Sequence, residues 1–110
     1  MSLRQARMAD EVRDVLASEF LGGKMEDPRL EGVSITAVKI SPDLQIASVY
    51  FRVFDHATVA AAQAGLKSAA GLLRRAIADR VRMRRVPELR FFYDESIENA
   101  EKIEKLLQDI

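Results

Sequence analysis

Residues 45–54 alternate with a period of two, placing Ala47, Val49, Phe51 and Val53 on one side and Ser48, Tyr50 and Arg52 on the other. Successive side chains of a β-strand point to opposite faces, so this segment predicts a strand with one apolar face. Just before it, residues 33–40 are dominated by β-branched side chains (Val33, Ile35, Thr36, Val38, Ile40) and predict a second strand. The intervening Ser41-Pro42-Asp43-Leu44 is short and turn-forming, which joins the two as an antiparallel hairpin. Ile35 and Val38 have opposite parity, and a bulge near Thr36-Ala37 reconciles them.

The remaining segments follow a different period. Met8, Val12, Val15, Leu16 and Phe20 recur at three- and four-residue spacings among charged residues, an amphipathic helix that Gly22 and Gly23 are expected to stop. Asp27, Pro28 and Gly32 keep the next connection irregular. Residues 58–70 are alanine-rich and predict a helix with Thr58 at its N-cap. Gly71 is expected to interrupt it, and Leu73, Ile77 and Val81 to resume it as a second helix before Pro87. Leu89, Phe91 and Tyr93 alternate with Arg90 and Phe92 as a third strand, apolar enough on both sides to need cover on each. A final helix starting near Asp94 or Ser96, with Ile97, Ala100, Ile103, Leu107 and Ile110 on one stripe, is expected to supply part of that cover. A three-stranded sheet packed by helices is an α+β architecture, and at 110 residues the chain reads as one domain, 1–110.

Apolar residues make up 48% and charged residues 31% of the chain, the profile of a globular protein. No apolar run approaches the length of a bilayer span and the first ten residues lack a secretory apolar core, so a cytoplasmic location is expected. There is no cysteine, which excludes disulfides, thiolate metal sites and a cysteine nucleophile. The net charge is zero, but it is unevenly spread. From Lys67 to Arg90 eight cations face only Asp79 and Glu88, a local excess of six, while acidity collects in residues 10–31 and 94–109. The molecule is therefore expected to carry one basic face.

On a helix resuming at Gly71, the residues Gly71, Arg75, Ala78, Arg82 and Arg85 fall at steps of four, three, four and three and share a stripe. A glycine at a helix start lets a phosphate approach backbone N–H groups, and arginines further along track the next phosphates. The competing reading is that Gly71 permits a kink or close helix packing, and that the arginines keep an outer face wet. Arg80, Arg82, Arg84 and Arg85 also complement a helix C-terminus, and arginine suits phosphate because its planar donors fork onto oxygen pairs. His56 is the single histidine and has no partners for metal binding or catalysis; it reads as a loop residue. Glu26-Asp27 and Asp94-Glu95 read as loop solvation and helix N-terminal charge. Phe91, Phe92 and Tyr93 read as core in preference to base-stacking residues. Walker loops, GxGxxG and serine elbows are absent, so no catalytic residue, metal or cofactor is assigned.

Several stretches, in order, resemble the ribosome-binding factor A family: Asp27-Pro28-Arg29-Leu30, then Val38 to Asp43 with Ala47 to Tyr50, then Ala69-Ala70-Gly71 with Leu73-Arg74. Val86-Pro87-Glu88-Leu89-Arg90-Phe91 continued by Asp94-Glu95-Ser96 is the closest match. The resemblance implies a type II KH-like domain in which a helix-kink-helix at Ala69-Gly71 stands where other KH modules have a glycine-rich loop. It also implies an RNA-facing surface of Lys67, Ser68, Ala69, Gly71, Arg74, Arg75, Arg82, Arg84 and Arg85, with Arg4 and Arg7 beside it. The partners it implies are 16S rRNA and the free 30S subunit during late maturation, including in the cold; the alternative is a protein-interaction module whose acidic C-terminal helix docks a ribosomal protein or assembly GTPase with little direct RNA contact. A cytoplasmic, non-enzymatic monomer without membrane attachment is expected.

Overall fold

The computed structural model describes residues 2–21 and 25–110, so the helix stop expected at Gly22 and Gly23 lies outside the described residues. Helix α1 (Leu3–Leu21) opens on a reciprocal cap: the Gln5 backbone N–H donates to Ser2 Oγ at 3.1 Å and the Ser2 N–H donates to Gln5 Oε1 at 2.9 Å. Its buried positions, Ala9, Val12, Val15, Leu16 and Glu19, keep the expected spacing. A 3-10 turn (Pro28–Leu30) follows, where Asp27 accepts from the Arg29 N–H, and delivers Leu30 to the core.

Strands β1 (Ser34–Ile40) and β2 (Ile46–Arg52) form the antiparallel hairpin, and the register shifts between Ile35 and Ala37, where parity required a bulge. The turn closes because Asp43 Oδ1 accepts from Ser41 Oγ at 2.6 Å and from the Gln45 N–H at 3.1 Å. After a second 3-10 turn (His56–Thr58), helix α2 (Val59–Arg80) crosses over to strand β3 (Glu88–Tyr93), which pairs parallel to β2. The sheet order is β1-β2-β3. Helix α3 (Ser96–Gln108) completes the chain.

One face of the sheet carries Ile35, Val38, Ile40, Ala47, Val49, Phe51, Leu89 and Phe91, all buried. It packs on α1 and α2, whose Val12, Leu16, Leu66, Leu73 and Ile77 are fully enclosed. Gly65 lets α2 approach the 3-10 turn: a Cβ there would lie 3.0 Å from Leu30 Cδ2 and 3.1 Å from Arg29 Cβ. Glu19 is the one buried charged residue among those described, and Arg80 Nη2 donates to its Oε1 at 2.6 Å, tying α1 to the end of α2.

Two expectations need correction. The break into two helices expected at Gly71 is absent, and α2 runs as a single helix through Ala69-Gly71. Ala62, Leu66, Leu73 and Ile77 form one buried stripe running past Gly71, and the burial gained along it exceeds the roughly 1 kcal/mol that an interior glycine costs relative to alanine. Secondly, α3 does not cover β3. None of its residues is buried, and Phe92 on the outer face of β3 remains 44% exposed.

Candidate nucleic-acid interface

Helix α2 faces the sheet with its buried stripe, which turns Lys67, Ser68, Gly71, Arg74, Arg75 and Ala78 outward. Gly71, Arg74, Arg75 and Ala78 share a side with Lys67 because offsets of four, seven, eight and eleven return close to one direction at 3.6 residues per turn, and Ser68 borders that side about 100° round the helix. Gly71 is exposed, and a Cβ added to it would meet nothing within 4 Å. The glycine therefore neither serves close packing nor marks a helix start; it leaves a bare stretch of exposed backbone beside two arginines. Ala69 is half-buried and packs against the core.

The arginine stripe survives only in part. The helix ends at Arg80, with Val81 extended, so Arg82, Arg84 and Arg85 belong to the loop 81–87 and not to helical steps from Gly71. The chain leaves the helix there because Val81 and Pro87 are both buried, drawing residues 81–87 across the end of the fold toward β3. Arg82, Arg84 and Arg85 stay exposed on that loop. Arg75, Arg82, Arg84, Arg85 and Lys67 make no ion pair with other described residues. Two neighbours have structural roles that spacing did not reveal. Arg74 donates through Nη2 to the Val86 carbonyl at 2.9 Å and through Nε to the Pro87 carbonyl at 3.2 Å, lashing the loop to α2. Arg80 is taken up by Glu19 and Ser18. Arg4 and Arg7 are exposed on the separate helix α1.

The other end of the molecule has the opposite character. Arg52 on β2 donates to Glu98 at 2.7 Å and to the Asp94 carbonyl at 2.7 Å, which roots α3 by its polar side. Hydrogen bonds from Arg52 hold the Glu98 carboxyl down from 4.5 to about 2. Asp94 is also held below the ordinary carboxylate range, first by the Thr36 hydroxyl and then by Ser96 at the start of α3. Leu107 lies nine residues from Glu98, a half-turn away round the helix, so the apolar stripe points away from the anchoring pair. His56 sits in its turn with its ring 5.5 Å from that of Tyr93. Among the described residues no group of three or more His, Cys, Asp or Glu side chains is placed to hold a metal ion, and no helix is long and apolar enough to cross a membrane.

A three-stranded sheet backed by two helices, with exposed arginines on the crossover helix and on the loop after it, defines a KH-like α+β domain whose distinguishing surface is cationic. Residues 4–107 match the family model for ribosome-binding factor A, and the chain belongs to that family. The ribosome-binding factor A of Thermomicrobium roseum is 43% identical over 110 residues, covering 99% of this chain and 84% of that protein. That of Coxiella burnetii is 43% identical over 108 residues, covering 98% and 90%. The crystal structure of the Thermus thermophilus ribosome-binding factor A aligns with a TM-score of 0.75 at 35% identity, covering 84% of this chain and 97% of that one. A homology model of the Thermus thermophilus factor, fitted into the cryo-electron-microscopy map of its complex with the 30S subunit, aligns at 0.66 and 36% identity over 79% of this chain and 91% of that one.

Proposed function

We propose that residues 1–110 act as a single KH-type RNA-binding domain. In this reading it attaches as a monomer to the immature 30S subunit, contacts 16S rRNA, and assists rRNA processing and late maturation, including in the cold. It works in the cytoplasm and catalyses no reaction. The observation that carries the reading is the set of exposed arginines without described acidic partners, Arg75 on α2 and Arg82, Arg84 and Arg85 on the loop, beside the bare backbone at Gly71. Lys67, Ser68 and Ala69 extend that surface along α2, and Arg74 holds the loop against it. Guanidinium groups fork onto phosphate oxygens, and an exposed glycine keeps side chains out of the path of a backbone. The homologue fitted into a 30S complex supports the same partner for this chain.

Reversing Arg75, Arg82 and Arg85 to glutamate is expected to abolish co-sedimentation with purified 30S subunits while leaving the thermal melt within about 1 kcal/mol of the parent. Losing three phosphate contacts should flatten the salt dependence of binding by roughly 2 to 3 in log–log slope. Undiminished association of the folded variant would reject this surface. A second reading has its own observation: the exposed apolar stripe of α3, which suits an assembly GTPase or a ribosomal protein. Ribonuclease treatment separates the two, because association that survives loss of accessible RNA belongs to the protein contact.

A further inference from the structure

The sheet has a second face, and its register can be read residue by residue. Lys39 pairs with Ser48, which pairs with Arg90; one step along, Ala37 pairs with Tyr50, which pairs with Phe92. Alternation puts all six on the side opposite the core. Two cations thus bracket a serine in one row, and two aromatic rings lie side by side in the next, roughly 7 Å further along the strands. The Tyr50 and Phe92 centroids are 5.7 Å apart with their planes inclined at 33°, and Lys39 Nζ lies 5.4 Å from the Tyr50 centroid. Among the described residues Arg90 pairs only with Glu88, in a contact exposed enough to be worth little.

The pattern of this surface is chemically specific. Rings that can slide under flat π-systems, with cations one row away, suit the bases and phosphates of an unpaired nucleic-acid strand. Two clefts lead onto it. One of about 300 Å³, bordered by Arg74, Arg85, Ile46 and Arg90, connects the loop 81–87 to the row of cations. The other, about 500 Å³, lies beyond the rings between Lys39, Tyr50, Tyr93, Ser96 and Asn99, where hydroxyl and amide groups can meet base edges. Asp94 and Glu95 also border this second cleft opposite Lys39, which leaves the phosphates to the Lys39 side and to Arg90.

We propose that the open sheet face is a second nucleic-acid site, on which Tyr50 and Phe92 stack the bases of an unpaired RNA strand while Lys39 and Arg90 hold its phosphates. The inference rests on the proposed function for the route of entry, since the strand arrives past Arg85 from the gripped backbone at α2.

The test uses the whole chain with a fluorescent single-stranded RNA ten-mer and the same sequence as a duplex. Phe92→Ala is expected to weaken single-strand binding roughly tenfold and duplex binding hardly at all, and Phe92→Tyr to retain it. The chain has two tyrosines and no tryptophan, so quenching of tyrosine emission by the ten-mer should fall sharply in Tyr50→Phe even where affinity persists. Unchanged affinity in Phe92→Ala, with melting confirming the fold, would overturn the site, as would a Phe92→Ala variant that loses 30S association but binds the ten-mer normally, which would mark a protein dock. The Arg75, Arg82 and Arg85 reversal separates the two claims. If it leaves 30S association intact while Phe92→Ala still weakens the ten-mer, the α2 surface fails and the sheet site stands.

Discussion

Helices α2 and α3 flank β3 in the chain, and both are amphipathic, yet α2 buries Ala62, Gly65, Leu66, Leu73 and Ile77 while α3 buries nothing. The difference lies in where each polar face is tied. The polar tethers of α2, Arg74 to the loop 81–87 and Arg80 to Glu19, leave its apolar stripe facing the sheet. The polar side of α3 is claimed by Arg52 through Glu98, so its apolar stripe is turned out. An apolar stripe therefore shows that a helix can be covered; the anchoring of its opposite face decides whether it is.

The sharpest test sets equivalent truncations side by side. Ile77→Ala should cost about 2 to 5 kcal/mol of stability in denaturant melts, and Ile103→Ala less than about 0.5 kcal/mol. A large loss at Ile103 would mean that α3 is covered in solution and would erase the contrast. The arginines rooting the two helices should divide in the same way. Arg80→Ala leaves the buried Glu19 carboxylate without its cation and should cost roughly 1 to 3 kcal/mol, whereas Arg52→Ala should loosen α3 with under about 1 kcal/mol of global change. Backbone amide exchange along 96–108 reads the second effect directly.

A smaller effect tests the exposed side of α2. Gly71→Ala adds a methyl group where nothing lies within 4 Å, so it should stabilise the fold by about 0.5 to 1 kcal/mol while weakening RNA binding. A variant that is more stable and binds equally well would show that the bare backbone has no functional use. The smallest effect is confined to α3. The Glu98 carboxyl is lowered to about 2 in the fold, so the stabilisation of α3 by Arg52 is fully present above about pH 4.5 and fades as the pH falls toward 2. The protection factors of the α3 amides, their exchange rates relative to an unfolded chain at the same pH, should fall across that window, and Glu98→Gln should remove the dependence.

Much of this was legible in the residues. The alternation of Ala47, Val49 and Phe51, the parity clash between Ile35 and Val38, and the spacing of α1 each announced a local geometry, because backbone period is a local property. The basic stretch was equally plain, but its division of labour was not. Arg74 and Arg75 are neighbours in sequence, yet one is spent on the Val86 and Pro87 carbonyls and the other faces solvent. Arg82 and Arg85 continued a helical spacing on paper, and burial of Val81 and Pro87 put them in a loop instead. The pairing of Tyr50 with Phe92 had no signal at all, since it joins strands separated by the whole of α2.

The sequence by itself determined the order of the elements, the hairpin with its bulge, and the concentration of positive charge between Lys67 and Arg90. Tertiary structure decided that α2 runs unbroken past Gly71, that α3 stands uncovered, and which arginines remain free. Local period and charge are written in neighbouring residues. Burial and pairing depend on partners brought together from distant parts of the chain, and those contacts outweigh single-residue preferences of about 1 kcal/mol.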